Sequence, residues 1–182
     1  MSEKKRKIST QQLVVSALLL ALAVIFTRVL AVNQLLNKLG LGFAAIALCA
    51  MLYGPVWTAI VSALVDLIGA LAFPTGAYFP GFTLTAAITG AIFGLFLYRK
   101  KVTWLNSFGA AFCNCFLVTL VLNTIMINVF FNAPLDKLLT TRVPQFLLML
   151  VVQTVVIRAL GTSPAIYKHI IQKSSLNKAK KP

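Results

Sequence analysis

The sequence predicts an all-α integral membrane protein, a six-transmembrane-helix bundle with both termini cytoplasmic. Three observations carry that reading. The chain is 59% hydrophobic and 11% charged, with a mean hydropathy of +0.90, whereas a soluble domain carries about 25% charged residues. Its 182 residues leave room for six spans of about 20 residues with short loops and no separate soluble domain. The basic residues gather at Lys4, Lys5, Arg6 and Lys7, at Arg99, Lys100 and Lys101, and at Lys168, Lys173, Lys178, Lys180 and Lys181. With six spans these segments all fall on one side, opposite Lys38, Lys137 and Arg142, and the positive-inside rule makes the crowded side cytoplasmic.

That placement also disposes of the net charge of +14 as a sign of nucleic acid. Nothing aromatic interleaves with the lysines to stack bases, so no nucleic-acid partner is expected. The first span is expected over residues 9–31. It runs past the length of a signal-peptide core and meets no convincing small-residue cleavage site, which makes it a retained helix. The second, 43–53, is short for the hydrocarbon core at about 1.5 Å per residue unless the Gly40 to Gly42 region joins it. Gly54-Pro55 is a turn, and the third span, 56–73, closes a tight hairpin.

The loop Phe73-Pro74-Thr75-Gly76-Ala77-Tyr78-Phe79-Pro80-Gly81 is stiff and rich in rings. It reads either as an interfacial aromatic belt or as a lid over an external cavity. The fourth span, 82–98, carries Ala86, Gly90 and Gly94 at four-residue spacing, a smooth stripe for close helix approach. The fifth and sixth spans are expected at 105–131 and 142–168, joined by a loop over 132–141. The whole chain, 1–182, is one membrane domain whose segments 1–8 and 169–182 are basic cytoplasmic tails. No internal repeat supports a transporter built from two matching halves.

Depth gives the polar residues meaning. Arg28 lies about one turn from the outer end of span one, Asp66 two turns from the outer end of span three, and Asn123 and Asn128 in the outer half of span five. Ionisable groups at a helix centre cost about 2.5 to 3.5 kcal/mol on insertion scales and face a partner or a wet cavity. Arg28 and Asp66 therefore either pair with each other or line a pocket open to the outside. In the second reading the carboxylate accepts paired N–H donors and the guanidinium clamps a ligand carboxylate. Arg158 lies toward the cytoplasm, where it snorkels or meets a protein partner. His169 falls in the basic tail. Cys49, Cys113 and Cys115 lack metal-ligand spacing, so no metal or other cofactor is expected.

One deep aspartate and one cytoplasmic histidine supply neither a nucleophile with its base nor a carboxylate dyad, so no enzyme is expected. No GxxxxGK[ST] phosphate loop is present either, and any active transport must borrow its energy. Ala17 and Ala21, four apart in span one, permit another helix to pack there.

These features together resemble the substrate-binding S component of an energy-coupling factor (ECF) vitamin transporter. The stretch Val65-Asp66-Leu67-Ile68-Gly69-Ala70, followed by Phe73 to Gly81 and then Phe82-Thr83-Leu84, is similar to the folate-specific branch. The resemblance implies a six-helix bundle that binds one vitamin on the extracellular side and topples to deliver it. It also implies docking, through Ala17 and Ala21, on a transmembrane coupling protein (EcfT) served by two cytoplasmic ATPases (EcfA and EcfA′) in a bacterial plasma membrane. Folate then suits the pocket, with Arg28 for the glutamate tail and Asp66 for the pterin edge. Tyr78 and Phe79 would be lid or stacking residues, and Asn123 and Asn128 hydrogen-bond partners. The readings left open are an S component for a queuosine precursor, pantothenate or riboflavin, a stand-alone proton-coupled secondary transporter using Asp66, and a structural membrane subunit.

Overall fold

The computed structural model describes residues 9–29, 41–73, 78–98, 100, 102–131 and 135–162, with side chains at all of these but 28, 29, 131 and 135–141. Among the described residues every regular element is helical. In chain order these are α1 (Thr10–Val24) with a π-helical turn (Ile25–Val29), α2 (Gly42–Tyr53), α3 (Pro55–Ala72), α4 (Pro80–Leu97), α5 (Trp104–Cys113), a π-helical segment (Asn114–Leu122), α6 (Asn123–Phe131) and α7 (Leu135–Thr162). Among the described residues five stretches are long and apolar enough to cross a membrane, namely 10–27, 55–72, 80–97, 104–130 and 142–162, and α2 is a shorter apolar helix beside them.

The short α2 sits at the centre. Its Phe43, Ala47, Ala50 and Met51 join Phe93 and Leu97 of α4, Ala110 of α5, Ile157 of α7 and the nearby Val102 in one core cluster. Its Ala45 and Cys49 join Leu19, Ala23 and Val24 of α1 and Val61 and Val65 of α3 in another. Alanines and a cysteine on two faces let helices approach from both sides. A helix walled by protein has its backbone satisfied internally and need not match the bilayer thickness.

Gly54, at φ +92°, makes the turn between α2 and α3, a conformation that favours glycine. Pro55 then opens α3, where its missing N–H costs nothing. The Ala86, Gly90 and Gly94 stripe is where α4 meets α3. A Cβ on Gly90 would come within 2.6 Å of the Thr58 carbonyl oxygen, and one on Gly94 within 2.2 Å of the Pro55 Cα. The Trp57 indole N–H donates to the Ser16 hydroxyl at 2.7 Å and ties α3 to α1.

Two elements differ from the sequence expectation. Span five is one continuous rod, α5 through α6, but its middle nine residues are π-wound, which hydropathy does not register. Helix α7 begins at Leu135, inside the stretch expected to be a loop, and runs through Pro144. Nothing between Leu135 and Thr141 breaks a helix, and Pro144 forfeits one backbone bond without ending it. At the far end of α7, Arg158 donates to the Val102 carbonyl and lies 6.0 Å from the Trp104 ring centroid. This guanidinium is therefore held within the chain, by the start of α5 and by Val102 just before it. The expected tails, 1–8 and 169–182, lie outside the described residues.

Candidate functional site

The antiparallel run of helices puts the end of α3, the start of α4, α6 and the start of α7 at one end of the bundle, away from the Gly54 turn. Within that half lies a cavity of roughly 290 Å³ lined by Asp66, Phe82, Thr85, Ala86, Thr89, Asn114, Val118, Thr119 and Asn123. Its volume is near the lower end for small-molecule sites, about 300 to 1,000 Å³. Apolar walls from Phe82, Ala86 and Val118 alternate with polar groups from four elements, α3, α4, the π-helical segment and α6.

The π-helical segment shapes one wall. Residues nine apart in an α-helix are separated by about two and a half turns and face opposite ways. The wider π winding, bonded i to i+5, carries nine residues through about two turns, so Asn114 and Asn123 share a face with Val118 and Thr119 between them. Both asparagines carry a buried Oδ1 without a hydrogen-bond partner. An unsatisfied buried acceptor costs about 1 to 3 kcal/mol, and such groups gather where a ligand supplies the missing donor.

Asp66 is positioned from the facing helix. The Thr83 hydroxyl donates to Asp66 Oδ2 at 2.8 Å, and the Tyr78 and Thr83 hydroxyl oxygens are 2.9 Å apart. A carboxylate only accepts, so Thr83 spends its single hydrogen on Asp66 and Tyr78 donates to Thr83. This chain links the loop before α4 to the carboxylate in the cavity wall. A hydrogen bond to a charged group contributes about 1.5 to 3 kcal/mol, enough to hold Asp66 in one rotamer.

The remaining expected residues fall in different places. Arg28 has its backbone in the π-helical turn after α1, and its side chain lies outside the described residues. Phe79 packs on Phe82 with ring centroids 6.1 Å apart and on Phe130 at 3.9 Å, bracing the α4 entrance rather than lining the cavity. Asn128 is five residues beyond Asn123 on α6, which turns it onto another face, and it is not among the lining residues. Ala17 and Ala21 are both exposed on α1. Of the loop before α4, positions 74–77 lie outside the described residues.

The sequence reading of the site missed the lining threonines Thr85, Thr89 and Thr119, and with them Thr83, Asn114 and Arg142. Thr83 was quoted only as part of a motif, and nothing in its neighbours signals a bond to Asp66, 17 residues away. Asn114 lies mid-span, with its partner Gln153 39 residues further along. Arg142 donates through Nη1 to the carbonyl of the cavity-lining Thr119 at 3.0 Å. Its place at the start of an apolar run reads as a flank charge. The cavity thus offers mainly acceptors, a carboxylate and two amide oxygens, with a cation beside one wall. That set suits a flat heterocycle with several N–H donors and an anionic extension.

Comparison with known proteins gives a consistent pattern. The family model for ECF transporter, substrate-specific component, matches residues 11–166. A folate transporter FolT of Clostridium novyi (strain NT) is 36% identical over 141 residues, which cover 78% of this chain and 82% of that one. A folate transporter FolT of Leuconostoc mesenteroides is 31% identical over 153 residues, covering 81% and 82%. The fold is similar to a crystal structure of FolT bound with folic acid, at a TM-score of 0.78 and 29% identity, with 84% of this chain and 93% of that chain covered.

Proposed function

The chain belongs to the family of ECF transporter substrate-specific components, and from that premise we propose that it is a folate-binding S component of an ECF-type importer. It is a multi-pass membrane protein by its apolar helices and its family. In this reading it spans a bacterial plasma membrane six times with both termini cytoplasmic and takes folate from outside. ATP hydrolysis falls to two partner ATPases, EcfA and EcfA′, acting through the coupling protein EcfT. The exposed Ala17 and Ala21 on α1 form the docking face for that coupling protein.

The observation that carries the ligand assignment is the acceptor-rich cavity, with Asp66 held by Thr83 and two unpartnered asparagine oxygens in its wall. The pterin head of folate presents N–H donors along one edge, and a carboxylate accepts two of them in parallel. A cavity of roughly 290 Å³ takes the bicyclic head while the aminobenzoyl-glutamate tail extends toward the mouth. Arg28 and Arg142 are the cations for that tail. Tyr78 and Phe79 close the entrance from the α4 side, and Asn123 supplies a polar contact, whereas Asn128, turned to another face of α6, does not reach the ligand.

The test is a calorimetric titration of the detergent-purified chain with folate, with riboflavin and pantothenate as controls. Saturation near one folate per chain, with no heat from the controls, is the expected result. A folded sample that binds riboflavin or pantothenate and leaves folate free overturns the assignment.

A further inference from the structure

We propose that Asn114, oriented by Gln153, is a specificity-determining residue of the cavity that accepts the second hydrogen of the ligand's 2-amino group. The inference rests on the folate reading and deepens it. Asn114 is 5% exposed and Gln153 3%, so neither side chain turns freely into solvent. Asn114 Nδ2 donates to Gln153 Oε1 at 3.2 Å, and the Cys115 thiol donates to the same oxygen at 3.6 Å. Both contacts converge on the Oε1 of Gln153, which accepts from the Asn114 amide nitrogen and from the thiol. The Asn114 amide is thereby held by its nitrogen, and its Oδ1 is the end left without a partner.

The orientation comes from α7 and not from Asn114's own helix, so it is a product of the tertiary packing around the cavity. An amide oxygen also accepts at every pH, unlike a carboxylate. Asp66 takes two parallel donors, the ring N–H and one hydrogen of the 2-amino group. The other amino hydrogen then needs an acceptor of its own. Without one, a buried N–H and the Asn114 oxygen would both stay unpaired. A site built on such acceptors discriminates against a ligand lacking the donor far more strongly than an apolar pocket discriminates by shape.

The experiment compares folate with the analogue in which a methyl group replaces the 2-amino group, by calorimetry, on the full chain and on Asn114→Ala and Gln153→Met. The wild-type chain binds folate much more tightly than the analogue. In Asn114→Ala that preference shrinks by about tenfold, through weaker folate binding with analogue binding unchanged. Gln153→Met shrinks it in the same direction by freeing the Asn114 amide, although Gln153 does not itself line the cavity. Equal weakening of both ligands in both variants assigns the pair a purely structural role and overturns the proposal. So does a wild-type chain that binds the two ligands equally, an outcome that needs no variant to fold. A folded wild-type chain that binds no folate refutes the ligand assignment and this inference together.

Discussion

Replacing Gly94 with alanine tests the closest helix contact in the fold. A Cβ there would lie 2.2 Å from the Pro55 Cα, 2.5 Å from its nitrogen and 2.7 Å from its Cβ, where ordinary contacts begin at 3.4 Å. Relief requires α3 and α4 to separate by the missing 1.2 Å, because no rotamer change moves a Cα. Overpacking costs about 1 to 3 kcal/mol, and a clash with backbone belongs at the top of that range. Alanine recovers about 0.5 to 1 kcal/mol of helix propensity, which leaves a net loss of about 2 kcal/mol. Gly109→Ala is the control, since its Cβ would meet the edge of the Phe96 ring at 3.0 Å, a contact that a small ring movement absorbs. That variant keeps most of the propensity gain. The two should differ by about 2.5 kcal/mol, which is roughly 5 to 10 °C in melting temperature for a domain of this size. Circular dichroism of the detergent-solubilised variants reads this directly. Folate affinity should also fall in Gly94→Ala, because the 2.8 Å bond from Thr83 to Asp66 crosses the same helix pair. Melting temperatures within 2 °C of each other would refute the reasoning.

Other substitutions separate the parts of the site. Asp66→Asn keeps the shape and loses the charged acceptor, so folate binding should weaken by about 3 kcal/mol, roughly 150-fold; unchanged affinity in calorimetry removes Asp66 from the site. Arg142→Gln should weaken folate more than a pterin lacking the glutamate tail, and equal losses for both ligands exclude a role in holding the tail. Ala17→Trp and Ala21→Trp should abolish co-purification with the coupling protein while leaving the folate affinity of the isolated chain within twofold. Retained co-purification would place the docking face elsewhere.

The parts of the fold legible in the sequence were those that depend on one-dimensional signals. Apolar runs located the helices, Gly54-Pro55 located the hairpin, and the Gly90 and Gly94 spacing located the face of α4 that α3 approaches. Hydropathy records depth but not the direction a residue faces around its helix. Depth placed Asp66, Asn123 and Asn128 in one zone, and the helix phase then put Asp66 and Asn123 in the cavity wall with Asn128 turned aside. Phase is least legible across the fifth rod, because an α-helical count separates Asn114 from Asn123 and the π winding reunites them. Long-range pairs such as Thr83 with Asp66 and Asn114 with Gln153 have no local pattern at all. They exist only once the helices pack.

The π-wound stretch Asn114–Leu122 also makes the fifth rod sensitive to residue number. Deleting one residue inside it would let the stretch tighten toward α winding and swing everything beyond it by about 80° about the axis. Asn114 would keep its place beside Gln153, while Asn123 would rotate out of the cavity wall. A conservative exchange at Val118 disturbs packing at one point, whereas a shortened segment shifts the phase of an entire half-helix. For this rod, length is the more tightly constrained variable, and insertions or deletions are the lesions it tolerates least.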